Sequence, residues 1–249
     1  MFPTIRLGPA ALPTAGLLTI LGIYLLLHVV ERTALRLHQD ANRLYGLSVT
    51  LIIAAFAGAR LTFVWLYWPA YRADLLSIIW PLNSGFNVWG GLVVALAAGF
   101  FYGRYHQLPL WKTADALIPG VIVGLMVVSL IDFLAGPGFG KLTSAPWGIT
   151  QFSVRRHPVQ IYELLVAALA LLAWWQFHRE RFFDGQLVLL TTAVYSGGRL
   201  FVDAFRENAW VTTAGWHILQ ILCLALMLLS LYGLGWLAEN VKRETGDIV

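Results

Sequence analysis

Seven apolar stretches follow one another along the chain, at roughly 10–30, 46–68, 86–103, 113–135, 159–177, 184–205 and 211–237. A hydrocarbon core needs about 20 apolar residues for each helix that crosses it. Inside that core every backbone N–H and C=O must be bonded within the protein, which leaves only helices or closed barrels. Runs of this length select helices. The chain is 59% hydrophobic and 12% charged, too little polar surface to cover a water-soluble globule. Its eleven Trp and nine Tyr suit the headgroup level of a bilayer. The sequence therefore predicts an all-α, polytopic membrane protein with seven transmembrane helices. It shows no clear repeat, low-complexity segment or dividing linker, so residues 1–249 are expected to form a single integral membrane domain.

Several classes of function are disfavoured at once. The net charge is +4 without a long Lys/Arg block, so no nucleic-acid partner is expected. No His/Cys cluster has ligand spacing, so neither a metal nor a cofactor is expected. Cys223 is the lone cysteine and reads as a small buried hydrophobe. The opening "MFPTIRLGPAALPT" lacks an evident small-residue cleavage site, and the apolar run it enters is long enough to span, so it is not read as a signal peptide. The segment "RADLLSIIWPLN" (72–83) is too short to span and is expected at an interface. The loop 136–158 is long and rich in Gly, Pro and aromatics, which predicts an ordered, functional loop. No inverted repeat or pair of interrupted helices speaks for a transporter.

Lys/Arg asymmetry sets the orientation. With seven spans, Arg32, Arg36, Arg43, Arg104, Lys112, Arg179, Arg181, Lys242 and Arg243 share one side. Arg6, Arg72, Lys141, Arg155, Arg156 and Arg206 share the other. The richer side is cytoplasmic, so the N-terminus is expected outside and the C-terminus in the cytoplasm.

Ionisable groups within the spans carry the functional signal. Arg60 and Arg199 lie well inside apolar runs, and Asp115, Asp132, Glu163 and Asp203 lie in them or at their edges. A charge at mid-membrane costs about 2.5–3.5 kcal/mol or more, so these groups should face the bundle interior or a wet cavity and should pair. Arg199, Asp203 and Arg206 recur at i, i+4 and i+7, on one helical stripe. Arg199 with Asp203 fits a structural ion pair. It also fits a guanidinium steadied by a carboxylate to receive a lipid phosphate. Gly197 and Gly198 leave room for a ligand or for a neighbouring helix. Arg60 could bind a headgroup, or pair with Asp132 or Glu163 as a structural pin.

The stretch "RRHPVQIYELL" (155–165) puts polar groups at the mouth of an apolar run. Pro158 fits a first helical turn, with His157 at the cap. Gln160 and Glu163, three apart, project from one face, while Tyr162 points elsewhere and could be an interfacial anchor.

"HPVQIYE" (157–163) resembles the His-Pro-x-Gln-x-Tyr-Glu motif of the bacterial prolipoprotein diacylglyceryl transferases. "GGRLFVDAFRE" (197–207) resembles that family's Gly-x-x-Arg-Phe-x-x-Glu-x-x-Arg helix, with Asp203 in the acidic position. "GARLTFVWLY" (58–67), "WGG" (89–91), "FLAGPGFGK" with the following "PWGI", and the first residues also resemble family segments, in the same order. The resemblance implies a seven-span fold and transfer of a diacylglyceryl group from phosphatidylglycerol to the lipobox cysteine thiol of a prolipoprotein, in the bacterial cytoplasmic membrane. Its substrates would be phosphatidylglycerol or another phospholipid and a prolipoprotein signal peptide. Carried onto this chain, it implies His157, Arg199 and Asp203 as catalytic residues. Arg60, Gln160, Glu163, Arg206, Gly136, Gly140 and Asp132 would bind the substrate and its headgroup. Such chemistry needs a thiolate, cations on the phosphate leaving group and a site open sideways to lipid.

The chain departs from the family pattern after the fourth span. In "VSLIDFLAGP" (128–137) Ser129 stands where the family has an essential arginine, Asp132 replaces an asparagine, and Pro137 replaces a glutamate. Trp89 replaces the histidine before Gly-Gly. Losing a permanent cation from a low-dielectric site is worth several kcal/mol, on the order of a thousandfold in rate. Asp132 adds a negative charge, which a pairing with Arg60 or Arg199 could cancel while occupying that cation. Three readings remain. In one, a working transferase lets Arg60, Arg199, Arg155 or Arg156 take over the phosphate and uses His157 as base. In the second, a transferase-like enzyme uses another acceptor. In the third, an inactive homologue still binds phospholipid.

Overall fold

The computed structural model describes residues 4–7, 10–72, 74–79, 85–136, 138–151 and 153–246. Pro137, and positions 73 and 80–83 of the interfacial segment, lie outside the described residues. The described elements run β1 (Thr4–Leu7), β2 (Ala10–Pro13), α1 (Thr14–Arg36), α2 (Ala41–Leu66), α3 (Trp68–Tyr71), α4 (Leu76–Ile79), α5 (Val88–Tyr105) and α6 (Leu110–Ala135). Next come β3 (Ile149–Gln151), β4 (Val154–Arg156), α7 (Val159–Phe177), α8 (Gln186–Asp203) and α9 (Ile218–Gly246). The chain is thus mostly helical, with two short antiparallel hairpins, β1–β2 and β3–β4.

Among the described residues, six helices are long and apolar enough to cross a membrane: α1, α2, α5, α6, α7 and α9. These make the protein a multi-pass membrane protein. The run at 184–205 forms α8 but falls outside that group, because Thr191, Thr192, Ser196, Gly197, Gly198, Arg199 and Asp203 dilute its apolar character. Of the seven apolar runs, six thus form helices that meet this measure among the described residues. Two boundaries also shift. Residues 10–13 of the first run pair as β2 with β1. The last run begins at Ile218 rather than 211, because Val211 and His217 close a small antiparallel turn before the helix.

The chain divides into two compact units, Val30–Thr113 and the combination of Met1–Val29 with Ala114–Val249. In the first, α2 and α5 pack through small residues. A Cβ on Gly91 would stand 2.7 Å from the Ala55 carbonyl oxygen, and one on Gly90 would stand 2.1 Å from Thr62 Oγ1. Backbones at this separation gain dispersion contact in the absence of a hydrophobic driving force between helices. The Gly-Gly of "WGG" therefore serves this helix contact. Asn87 caps α5 by accepting from the Gly90 N–H at 2.8 Å.

In the second unit, Ile122, Ala167 and Ala170 form a buried core joined by Ile118, Leu125, Met126, Leu171, Val194 and Tyr195, so α6, α7 and α8 share one interior. A Cβ on Gly198 would stand 2.5 Å from Val166 Cγ1, and one on Gly197 would meet Met227 Sδ at 3.2 Å. The Gly197–Gly198 pair is thus filled by neighbouring helices α7 and α9. Asp115 of α6 is buried and reaches the start of α8, where it accepts from Gly185 N and Val188 N, each at 2.8 Å. Gly185 offers no side-chain cap of its own, so Asp115 caps α8 from another helix. Its backbone carbonyl accepts from Trp174 Nε1 at 2.9 Å, which ties α7 to the same point.

Candidate functional site

The second unit gathers most of the residues singled out in the sequence at one end of α6, α7 and α8. Three strand-like segments build the floor. Lys141 N donates to Phe205 O (2.8 Å), Glu207 N to Phe139 O (3.1 Å), His157 N to Lys141 O (3.0 Å) and Thr143 N to Arg155 O (3.1 Å). The segment 139–143 therefore lies between the β3–β4 hairpin and the turn that follows α8. Gly136 ends α6 in the left-handed region, at φ 89°, with its N–H on Asp132 O, a glycine-specific helix stop. Gly140 lies where a Cβ would stand 2.2 Å from His157 O. Both glycines shape the backbone around the charged groups.

A chain of alternating charges occupies this floor. Glu163 Oε1 takes Arg199 Nη2 at 3.3 Å and also Arg206 Nη2 in a short contact. Arg199 Nη1 lies 3.5 Å from Asp203 Oδ1, and Asp203 Oδ2 lies 3.5 Å from His217 Nδ1. The side chains are largely removed from solvent: 11% exposed for Arg199, 13% for Arg206, 7% for Glu163 and 1% for Asp203. A Cβ built on Gly138 would meet Asp132 Oδ2 at 3.2 Å and Arg206 Nη1 at 3.4 Å, so Asp132 and Arg206 both lie against Gly138. Two guanidiniums thus share one carboxylate oxygen. Arg206 Nε and Arg199 Nη1 are buried without a hydrogen bond among the described residues, although Arg199 Nη1 keeps its ion-pair contact with Asp203. Unmet buried donors on permanent cations are costly and are the groups a bound anion would satisfy.

Ser129, at the position of the family's arginine, donates to Leu125 O at 3.1 Å and lies 3.5 Å from Glu163 Oε2. The serine thus touches the same carboxylate from its other oxygen. Gln160 is buried and donates through Nε2 to Gly138 O, while its Oε1 has no described partner. His157 sits just before the helix, and Pro158 is the N-cap itself rather than its first residue, one position earlier than the sequence reading placed it. The His157 ring lies 4.9 Å from the Phe205 ring. Its Nδ1 is 3.2 Å from the Tyr162 hydroxyl, which also receives Trp147 Nε1–H at 2.8 Å.

Three other arginines that the sequence put forward for the phosphate, Arg155, Arg156 and Arg60, donate chiefly to backbone carbonyls. Arg155 Nη2 donates to the carbonyls of Ala145 and Pro146 at 3.0 Å each, closing the loop before β3. Arg156 Nη1 donates to Gly140 O at 3.0 Å and its guanidinium stands 4.8 Å over the Phe139 ring. In the other unit, Arg60 donates to Ile78 O (2.8 Å), Ser77 O, Gly85 O (3.3 Å) and the Tyr71 hydroxyl (3.3 Å). Arg60 is a pin, but its partners are the carbonyls of the segment after α2, not the carboxylates the sequence suggested. Trp89 is exposed at the start of α5 in that same unit.

Sequence reasoning did not single out Trp147 or His217. The five-residue step from His157 to Tyr162, across a helix start, is the one sequence signal for the contact between their side chains. His217 carried none, since it lies in the turn before α9 and its partner Asp203 lies on α8.

A family profile described as prolipoprotein diacylglyceryl transferase matches residues 3–236. Among curated relatives, one from Trichormus variabilis is 26% identical, covering 98% of this chain and 92% of its own length. One from Synechococcus elongatus is also 26% identical, over 98% and 90%. One from a Wolbachia of Drosophila simulans is 28% identical, over 97% and 96%. Each carries the name phosphatidylglycerol–prolipoprotein diacylglyceryl transferase.

Proposed function

The chain belongs to the prolipoprotein diacylglyceryl transferase family, and from that membership we propose that it transfers diacylglyceryl from phosphatidylglycerol to the lipobox cysteine of prolipoproteins. The carrying observation is the pair of guanidiniums of Arg199 and Arg206, which share Glu163 yet retain buried, unmet N–H donors. Those donors suit the phosphate of the lipid. Glu163 and Asp203 hold the guanidiniums in place, and Gln160 and Asp132 flank them. Transfer also needs the approaching cysteine as its thiolate, the nucleophilic form of the thiol. Sulfur then bonds to the glyceryl carbon, and the carbon–oxygen bond to phosphate breaks with its electron pair on oxygen. The released glycerol phosphate takes up the proton that the thiol gave up.

The departures at Ser129 and Trp89 remove an arginine and a histidine of the family pattern, and Arg199 and Arg206, both within the retained motif, support the reading that two cations still hold the phosphate. A different acceptor, or a lipid-binding protein without turnover, is not favoured by relatives that are all named as transferases. We read α8 as a seventh span, since its Arg199 and Asp203 join the charged chain and its glycines face α7 and α9. The site would then lie at the outer face of the bacterial cytoplasmic membrane, with the N-terminus outside and the C-terminus in the cytoplasm. A secreted lipobox becomes available on that face.

The test is turnover. The purified protein in phosphatidylglycerol nanodiscs is given a lipobox peptide, and glycerol phosphate is measured. Release that requires the peptide, and that is lost in Arg206→Ala, is the expected result. Release without peptide, or none with it, overturns the proposal.

A further inference from the structure

The hydroxyl of Tyr162 lies between two nitrogens of different kinds. An indole N–H can only donate, so at 2.8 Å the Tyr162 oxygen accepts from Trp147 Nε1. The hydroxyl's own hydrogen is then free for its other close neighbour, His157 Nδ1 at 3.2 Å. The opposite arrangement would bring two donors onto one phenol oxygen and leave its hydrogen without an acceptor among the described residues. The three groups thus form a chain of one polarity: Trp147 to Tyr162 to His157. Nδ1 of His157 accepts, which puts the imidazole proton on Nε2. Nε2 makes no hydrogen bond among the described residues.

We propose that Trp147 and Tyr162 are positioning residues that fix His157 as an N–H donor at Nε2, so that His157 offers the substrate's anionic end a hydrogen bond rather than a basic nitrogen. The surroundings agree with a held ring. His157 packs against Phe205 at 4.9 Å. Its backbone N–H is bonded to Lys141 O, and its carbonyl accepts from Val159 N at 2.9 Å. Gly140 brings the 139–143 backbone close to His157, where a Cβ would stand 2.2 Å from the His157 carbonyl oxygen. A neutral donor also suits the site, because it adds a bond to a phosphate oxygen without taking the proton of the thiol. The assignment of this role to the substrate rests on the transferase reading; the tautomer itself does not.

Two measurements separate these. Nitrogen-15 spectra of histidine-labelled protein in phosphatidylglycerol nanodiscs, with the His157 signals assigned by their loss in His157→Gln, report the tautomer directly. The expected result is neutral His157 protonated at Nε2. In addition, its Nδ1 resonance should move toward the unbonded value in Tyr162→Phe, and in the same direction by less in Trp147→Phe. A protonated Nδ1 in the wild type, or an Nδ1 signal unmoved by Tyr162→Phe, overturns the proposal whether or not the protein turns over. The second measurement is the transfer rate of His157→Gln against His157→Asn. A glutamine amide N–H reaches the place of Nε2–H, whereas that of asparagine reaches Nδ1. The expected loss is about tenfold for His157→Gln and at least tenfold more for His157→Asn. Equal, thousandfold losses would mean that His157 is a base and sink the donor role. A wild type without peptide-dependent release would instead defeat the transferase reading and leave the spectra to decide the tautomer.

Discussion

Replacing Glu163 by glutamine keeps the length and branching of the side chain and removes its charge. The consequence follows from its contacts. Oε1 takes both Arg199, at 3.3 Å, and Arg206, and Oε2 faces Ser129 at 3.5 Å. A hydrogen bond within an ion pair is stronger than one in which only the guanidinium is charged, by an amount on the order of 1 kcal/mol. Each guanidinium contact should therefore weaken by about 1–1.5 kcal/mol, and the two together by about 2–3 kcal/mol. The two cations, now without a shared anion, would also repel each other. Glu163→Gln should lower conformational stability by about 2–3 kcal/mol and slow transfer by roughly 30–150-fold, because both phosphate-holding groups lose their register. Glu163→Ala, which leaves two buried cations facing a void, should cost about 3–5 kcal/mol. The assays are thermal unfolding in detergent and peptide-dependent glycerol phosphate release in nanodiscs. A Glu163→Gln protein within twofold of wild type in rate, with an unchanged unfolding midpoint, would refute the shared-carboxylate argument.

Other substitutions probe the scaffold and its placement. Asp115→Ala removes the acceptor of two backbone N–H groups at the start of α8 and the neighbour of Arg181 at 3.6 Å; unfolding experiments should register a loss of about 2–4 kcal/mol, and a loss under about 0.5 kcal/mol would contradict the capping role. Gly140→Ala drives a methyl group against His157 O, 2.2 Å away, so the 139–143 segment must shift; a loss of about 1–3 kcal/mol is expected, and wild-type stability and rate would show that the close approach is unimportant. Orientation can be mapped with single cysteines in a Cys223→Ala background, at the exposed positions Ser144 and Glu180. Ser144→Cys should react with an impermeant maleimide in intact spheroplasts and Glu180→Cys only after lysis; the reverse pattern would invert the assigned topology.

The family motifs carry through to the charged centre, because His157, Gln160 and Glu163 lie within one turn or two of a helix start and Arg199 and Asp203 are one turn apart. Local spacing is enough to put such residues on one face. What each residue does was less legible. Gly197 and Gly198 read equally as room for a ligand or for a helix, and Val166 and Met227 fill that room. Gly136 and Gly140 were drawn in by resemblance, and their geometry is that of a helix stop and a close backbone approach. Arg60 stood out by its cost in lipid, but its partners are carbonyls in an irregular segment, and nothing in local periodicity selects those.

By itself the sequence determined the solvent in which this chain folds and, through it, the helices: long apolar runs in a bilayer have little choice but to bond their own backbones. It also determined which charges would be too expensive to leave alone. The tertiary structure decided their partners. Glu163 is 43 residues from Arg206, and Trp147 finds Tyr162 only because a hairpin folds the loop back over the start of α7. Burial makes pairing obligatory, which a one-dimensional pattern can register. Which pair forms depends on distances that only packing fixes.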